Sequence, residues 1–156
     1  RHKTALWSAL LEDKLDIIAT DHAPHTWDEK QQSYKKSPSG VPLVQHSLQL
    51  MLEYVKEGKI SLEKMVEKMS HAPAECFRID KRGYIREGYW ADLVLVDLNK
   101  PHTVDKDHIH YKCHWSPFEG KTFSASIAHT IVSGHLAYTL GHFDNKHMGM
   151  RVEFER

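Results

Sequence analysis

Apolar residues at the start of the chain fall at Ala5, Leu6, Ala9 and Leu10, with Trp7 and Leu11 widening the stripe, and this spacing predicts an amphipathic helix over residues 1–14. Residues 15–19, Leu-Asp-Ile-Ile-Ala, form a short apolar run rich in β-branched side chains and predict a buried strand. A helix followed by a buried strand is the rhythm of an α/β fold. Over residues 20–42 the periodicity disappears. Three prolines, Gly40 and a charged stretch from Asp28 to Lys36 predict a long loop, and loops of that length in compact domains are usually functional or disordered.

Helical spacing returns at Val44, Leu48, Met51, Leu52 and Val55 and stops at Gly58. A second helix is expected after Ser61 as its N-cap, with Leu62, Met65, Val66 and Met69 on one face, and a short third one over residues 73–77. Met65 and Met69 read as core, Trp7, Trp90 and Trp115 as packing, and Glu63, Lys64, Glu67 and Lys68 as a solvated face. Beyond Arg78 the texture changes to strands at 92–97, 127–132, 135–140 and 151–155, with Ser133-Gly134 as a hairpin turn. The chain therefore divides into an α/β segment, 1–78, and a β-rich segment, 79–156.

Charge alters the picture by exclusion. The 156 residues carry 21 Lys+Arg against 21 Asp+Glu, and this balance gives no electrostatic reason to bind nucleic acid or anionic lipid. No apolar run reaches the length of a membrane span, and the first residues do not lead into a signal-peptide core. Two cysteines, Cys76 and Cys113, cannot make a disulfide framework, so a cytoplasmic location is expected. The chain starts at Arg1, without a Met and inside a helical pattern, as a piece of a longer protein would.

The 13 histidines direct attention to metal and proton chemistry. Asp21 stands just past the strand expected at 15–19, where parallel α/β sheets and barrels place ligand-binding groups, and His22 and His25 follow it. A carboxylate and imidazoles in that position suit metal binding and acid/base work. Asp21 as the cap of a turn, and His25 as a solvent-facing loop residue, are the competing structural readings. His108, His110, Cys113 and His114 are zinc-type ligands by residue type, but their spacing fits no closed four-ligand pattern.

Ala19-Thr20-Asp21-His22-Ala23-Pro24-His25, with Gly40-Val41-Pro42 downstream, resembles the last barrel strand and following loop of the dihydroorotase family of cyclic amidohydrolases. Ser70-His71-Ala72-Pro73-Ala74, Gly88-Tyr89-Trp90-Ala91-Asp92-Leu93-Val94, Ser116-Pro117-Phe118 and Ile131-Val132-Ser133-Gly134 extend the resemblance along the chain. It implies the carboxy-terminal portion of a (β/α)8 TIM-type barrel, residues 1–78 with an active-site loop at 20–42, followed by a small β-rich segment, 79–156. It also implies a two-zinc centre with most ligands outside this chain, because only Asp21 matches one of the family's ligand positions.

By the same resemblance Asp21 is a metal ligand and the general acid/base, while His25, Ser39 and Gly40 bind substrate. His22, adjacent to Asp21, reads as a structural neighbour. The implied partners are a small molecule, dihydroorotate or N-carbamoyl-L-aspartate, the amino-terminal part of the barrel, and a second copy of the chain in a homodimer. The alternatives are another cyclic amidohydrolase, of hydantoinase or allantoinase type, and an inactive dihydroorotase-like scaffold.

Overall fold

The computed structural model describes residues 2–155, which form a mixed α/β structure. It separates into two compact units built from alternating stretches of chain: residues 2–19, 54–95 and 128–155 in one, and 20–53 and 96–127 in the other.

The first unit opens with helix α1, His2–Leu11. The helix stops three residues short of the expected end. Asp13 takes a left-handed conformation (φ 59°), and the Lys14 N–H then reaches back to the Ala9 carbonyl at 2.8 Å, closing the end with the two bonds of a Schellman turn. The expected apolar stripe is only partly used, since Leu10 is buried and Leu6 is 60% exposed. Trp7 packs edge-on against Tyr54, with ring centroids 5.0 Å apart.

Residues 15–19 do not form the strand expected of them. A strand exists only within a ladder, and the main-chain N–H groups of this run donate instead to helical carbonyls, Leu15 to Ala9 at 3.2 Å and Ile18 to Lys68 at 3.0 Å. Lys68 is itself a correction. It was expected on the solvated face, yet it is 3% exposed, and its ammonium donates to the Leu15 carbonyl at 2.8 Å and pairs with Asp13 at 2.9 Å. Helical spacing alone does not reveal that a backbone carbonyl waits beneath that turn.

Ser61 caps helix α4 (Leu62–Val66) as expected, its hydroxyl accepting from the Lys64 N–H at 3.1 Å. A wide π turn, Glu67–His71, leads into α5, Ala72–Cys76, with Pro73 in the first turn where its missing N–H costs nothing. Met65 and Ala74 fill the interior of this unit. Gly83 (φ +82°) crosses so close that a Cβ there would stand 2.4 Å from Ala74 Cβ.

The four-stranded sheet runs in the order β1 (Leu93–Asp97), β4 (Ser126–Val132), β5 (His135–Thr139), β6 (His142–Phe143), with β4 and β5 antiparallel around the expected Ser133-Gly134 turn. The last expected strand, 151–155, shrinks to a single bridge between Ile79 and Phe154. Its would-be partner cannot stay extended, because Arg78 and Lys81 both turn left-handed at φ 52°.

The second unit holds a short helix α2 (Trp27–Lys30), a 3-10 turn (Val44–His46), the start of α3 (Ser47–Lys56) and a two-stranded ribbon of β2 (His102–Thr103) and β3 (Thr122–Phe123). Its core is Val104, Ile109, Tyr111 and Phe123, packed by Leu50, Cys113 and Phe118. The two-residue strands β2, β3 and β6 are too short to leave an alternating pattern in the sequence. Val44, expected on the buried stripe of α3, is 56% exposed because the α-helix proper begins only at Ser47.

Candidate active site

The long loop at 20–42 is tied at three points, all within the second unit. At its entrance Asp21 adopts φ 45°, a conformation uncommon for a residue with a side chain. His22 then bridges to Val41 in parallel fashion, and the Ala23 N–H donates to the Val41 carbonyl at 3.1 Å. The His22 ring accepts at Nδ1 from the Leu43 N–H (3.0 Å) and the Val44 N–H (3.3 Å), so its proton sits on Nε2. Those two donors are orphans at the start of the following helical turn, and His22 satisfies them.

The second tie is a helical cap. Thr26 accepts at Oγ1 from the Glu29 N–H at 3.4 Å, while Glu29 Oε2 accepts from the Thr26 N–H at 2.7 Å, a capping box that starts α2. These bonds hold the Glu29 carboxyl below the usual carboxylate range. Nothing in the apolar spacing announces this helix, but the Thr-x-x-Glu pattern at 26–29 does. His25 sits immediately before the cap, its carbonyl accepting from the Trp115 indole N–H at 2.8 Å and its Nδ1 3.8 Å from Glu29 Oε2. Trp115 also packs on Trp27, centroids 5.5 Å apart.

The third tie is Lys30. Its ammonium donates to the carbonyls of Pro38 (2.6 Å) and Gly40 (3.0 Å), closing the loop tip into a ring. Gly40 has φ +86°, and a Cβ built there would lie 2.6 Å from Ala23 Cβ, so only glycine fits beside the Asp21 turn. Ser39 beside it is exposed.

The structure thus brings the stretch containing Asp21, His22 and Ala23 against the stretch from Gly40 to Val44, two regions about twenty residues apart in sequence. Among the described residues, no hydrogen bond or ion pair engages the Asp21 carboxylate, and none occupies the Gly40 N–H. A carboxylate oxygen is a good donor for zinc, and this one is available.

Behind these residues lies a group the sequence reading missed. His46 is 1% exposed and stacks on Phe123 (6.1 Å, 19°), with Phe118 and Tyr111 edge-on. Its Nδ1 is 3.0 Å from the Tyr111 hydroxyl. Burial, reinforced by the nearby His102 and His110, pushes its pKa down to about 4, while burial pushes the Tyr111 phenol up to about 12. The His22 ring stands 5.2 Å from that of Tyr111, so the neutral His46–Tyr111 pair backs the site. His46 directly precedes the apolar run of α3, and that adjacency was the only sequence signal of its burial.

Residues 1–137 match the Amidohydrolase family, and the chain belongs to it. Among curated proteins the chain is similar to the dihydroorotase of Clostridium acetobutylicum, with 38% identity over 137 residues, and to that of Halobacterium salinarum, with 36% over 149. These alignments cover 87% and 94% of this chain but 32% and 35% of the relatives, so the chain spans about a third of their length. Among solved structures it is similar to the D-hydantoinase (dihydropyrimidinase) of a Thermus species, with a TM-score of 0.82 and 27% identity over 90% of this chain and 32% of that one. It is also similar to the L-hydantoinase of Arthrobacter aurescens, with a TM-score of 0.81 and 30% identity over 88% of this chain and 32% of that one.

Proposed function

We propose that the chain is the carboxy-terminal part of a dihydroorotase, interconverting dihydroorotate and N-carbamoyl-L-aspartate in the cytoplasm for pyrimidine biosynthesis. The observation that carries this reading is the unpartnered Asp21 carboxylate on a left-handed turn, followed at once by His22, whose ring accepts from the Leu43 N–H, and by Ala23, which lies against Gly40. The likeness to dihydroorotases at 36–38% identity supports the substrate. Residues 1–78 would complete a (β/α)8 barrel whose other strands precede them, and residues 79–156 form the β-rich segment. Exposed Leu6 on α1 and Leu15, the first residue of the stretch that would be the last barrel strand, suit such a neighbour.

Ring opening requires a nucleophile at the cyclic amide carbonyl and a proton at the departing nitrogen. Asp21 would hold one of two zinc ions, which supply a hydroxide nucleophile at neutral pH and polarise the carbonyl when bound. The Asp21 carboxylate takes the proton released in the attack and delivers it to the ring nitrogen, a role an amide cannot fill. His25 donates a hydrogen bond to the substrate carboxylate, and the N–H groups at Ser39 and Gly40 meet the same end of the molecule. The capping box and the Trp115 bond hold the His25 backbone for that contact.

A second reading, a cyclic amidohydrolase acting on a hydantoin, is favoured by the fold likeness to hydantoinases. The two differ at His25 and Gly40, because a hydantoin ring carries no carboxylate for them to meet. Assaying the complete enzyme with N-carbamoyl-L-aspartate and with a hydantoin separates them. Turnover of the first that is lost in Asp21→Asn supports the proposal; turnover of the hydantoin alone replaces it with the second reading.

A further inference from the structure

The first unit ends in an arrangement that no step above uses. Strands β5 and β6 pair antiparallel, Tyr138 opposite Phe143 and Thr139 opposite His142. Past β6 the chain folds back: the Asp144 N–H donates to the Ala137 carbonyl at 3.0 Å, and Asp144 Oδ1 accepts from the Lys146 N–H at 2.9 Å. That turn lays the His147 ring against the ring of His135 on β5, with centroids 4.2 Å apart.

The two oxygens of Asp144 therefore have different tasks. Oδ1 is held by the turn, and Oδ2 faces His135 Nε2 at 3.4 Å. His135 Nε2 is buried, and among the described residues it makes no directed hydrogen bond. One ligand atom each from His135, Asp144 and His147 lies within 4.8 Å of the others. In a tetrahedral zinc site with bonds of about 2.0–2.1 Å, neighbouring ligand atoms stand about 3.3 Å apart, close to the separation of His135 Nε2 and Asp144 Oδ2. A buried imidazole nitrogen aimed at a carboxylate oxygen, without a well-directed proton between them, is the arrangement a shared cation satisfies.

We propose that His135, Asp144 and His147 bind a zinc ion that staples the chain after β6 onto β5. Two imidazoles and one carboxylate suit Zn²⁺ among the available divalent cations, and three protein ligands leave the fourth position to water. The site lies in the unit that does not contain Asp21, and its function is structural.

The test uses the complete enzyme, stripped with chelator and reloaded with Zn²⁺ alone or Co²⁺ alone, with metal measured per chain and the Co²⁺ visible spectrum recorded. Asp144 and His147 are exposed enough for substitution without loss of the fold, which an unchanged far-ultraviolet dichroism of the stripped proteins verifies. Wild type and Asp21→Asn are expected to hold one ion more than the corresponding proteins carrying His147→Ala or Asp144→Asn. Affinity at this site should fall by more than about 100-fold in the alanine variant, since losing even an outer partner of a metal ligand costs 10–100-fold. His147→Cys, which restores a zinc donor, should recover the ion and add a sulfur-to-cobalt absorption band. Equal metal content and spectra in wild type and His147→Ala would overturn the proposal, and so would loss in the alanine variant without recovery in the cysteine one. Amidohydrolase turnover should not change in His147→Ala.

Discussion

Two histidine-bearing regions put the same side chain to opposite uses. In the unit containing residues 20–53, His22 spends its Nδ1 on two backbone N–H groups and His46 is kept neutral among aromatic rings, so both serve as architecture. Among the described residues, the Asp21 carboxylate there takes no hydrogen bond or ion pair. At the β5–β6 hairpin the histidine nitrogens face an aspartate oxygen with no directed hydrogen bond to His135 Nε2. Histidine content therefore says little by itself. Among the described residues the Nε2 atoms of both His46 and His135 lack a hydrogen-bond partner, and what separates framework from site is that His46 is packed among aromatic rings whereas His135 Nε2 faces a carboxylate oxygen.

The largest expected effect tests the free carboxylate. Asp21→Asn in the complete enzyme should lower kcat by about 10²–10⁴-fold, the range general acid/base groups contribute, while part of the metal stays bound. Near wild-type turnover of N-carbamoyl-L-aspartate would remove Asp21 from the comparison. Next is His46, whose pKa of about 4 lies below the ordinary value of 6.5. Between those values the unfolded chain binds the proton and the folded one does not. Stability should therefore fall as pH drops from 6.5 toward 4, by about 3 kcal/mol in total. Denaturant unfolding across that range checks it, and His46→Gln should flatten the dependence.

Gly40→Ala comes third. The added methyl meets Ala23 at 2.6 Å in a left-handed backbone, and a stability loss of about 1–3 kcal/mol is expected, with a raised KM because the contact adjoins Asp21. An unchanged melting temperature would show that the loop tolerates separation from the Asp21 turn. The smallest effect belongs to His25→Ala, which should raise KM about tenfold, the equivalent of one modest hydrogen bond to a charged group, with kcat nearly unchanged. An unaltered KM would return His25 to the class of loop surface residues.

Much of the helical and hairpin structure was legible because it rests on local rules. Ser61 as a cap, Pro73 in a first turn and Ser133-Gly134 as a hairpin turn are each decided by a few neighbouring residues. The misses share a different cause. Residues 15–19 needed a ladder partner, 151–155 needed a straight one, and Lys68 was drawn inward by the carbonyl of Leu15, fifty-three positions away in sequence. For the site, the motif pointed to Asp21, His25 and Gly40. It could not show that His22 is held by Leu43 and Val44, or that His46, Tyr111 and Phe123 stand behind it, since those pairings depend on contacts between distant parts of the chain.

The Lys30 clasp has a consequence for how this loop can change. One ammonium gripping the carbonyls of Pro38 and Gly40, with the Ser37 hydroxyl donating to the Lys30 carbonyl at 3.3 Å, closes residues 31–36 into a ring held at its ends. Closing such a ring costs only about 0.6 kcal/mol more for each doubling of its length. The tip can therefore lengthen, shorten or carry an inserted peptide while Gly40 keeps its place against Ala23. Variation in length is insulated from geometry at the Asp21 turn.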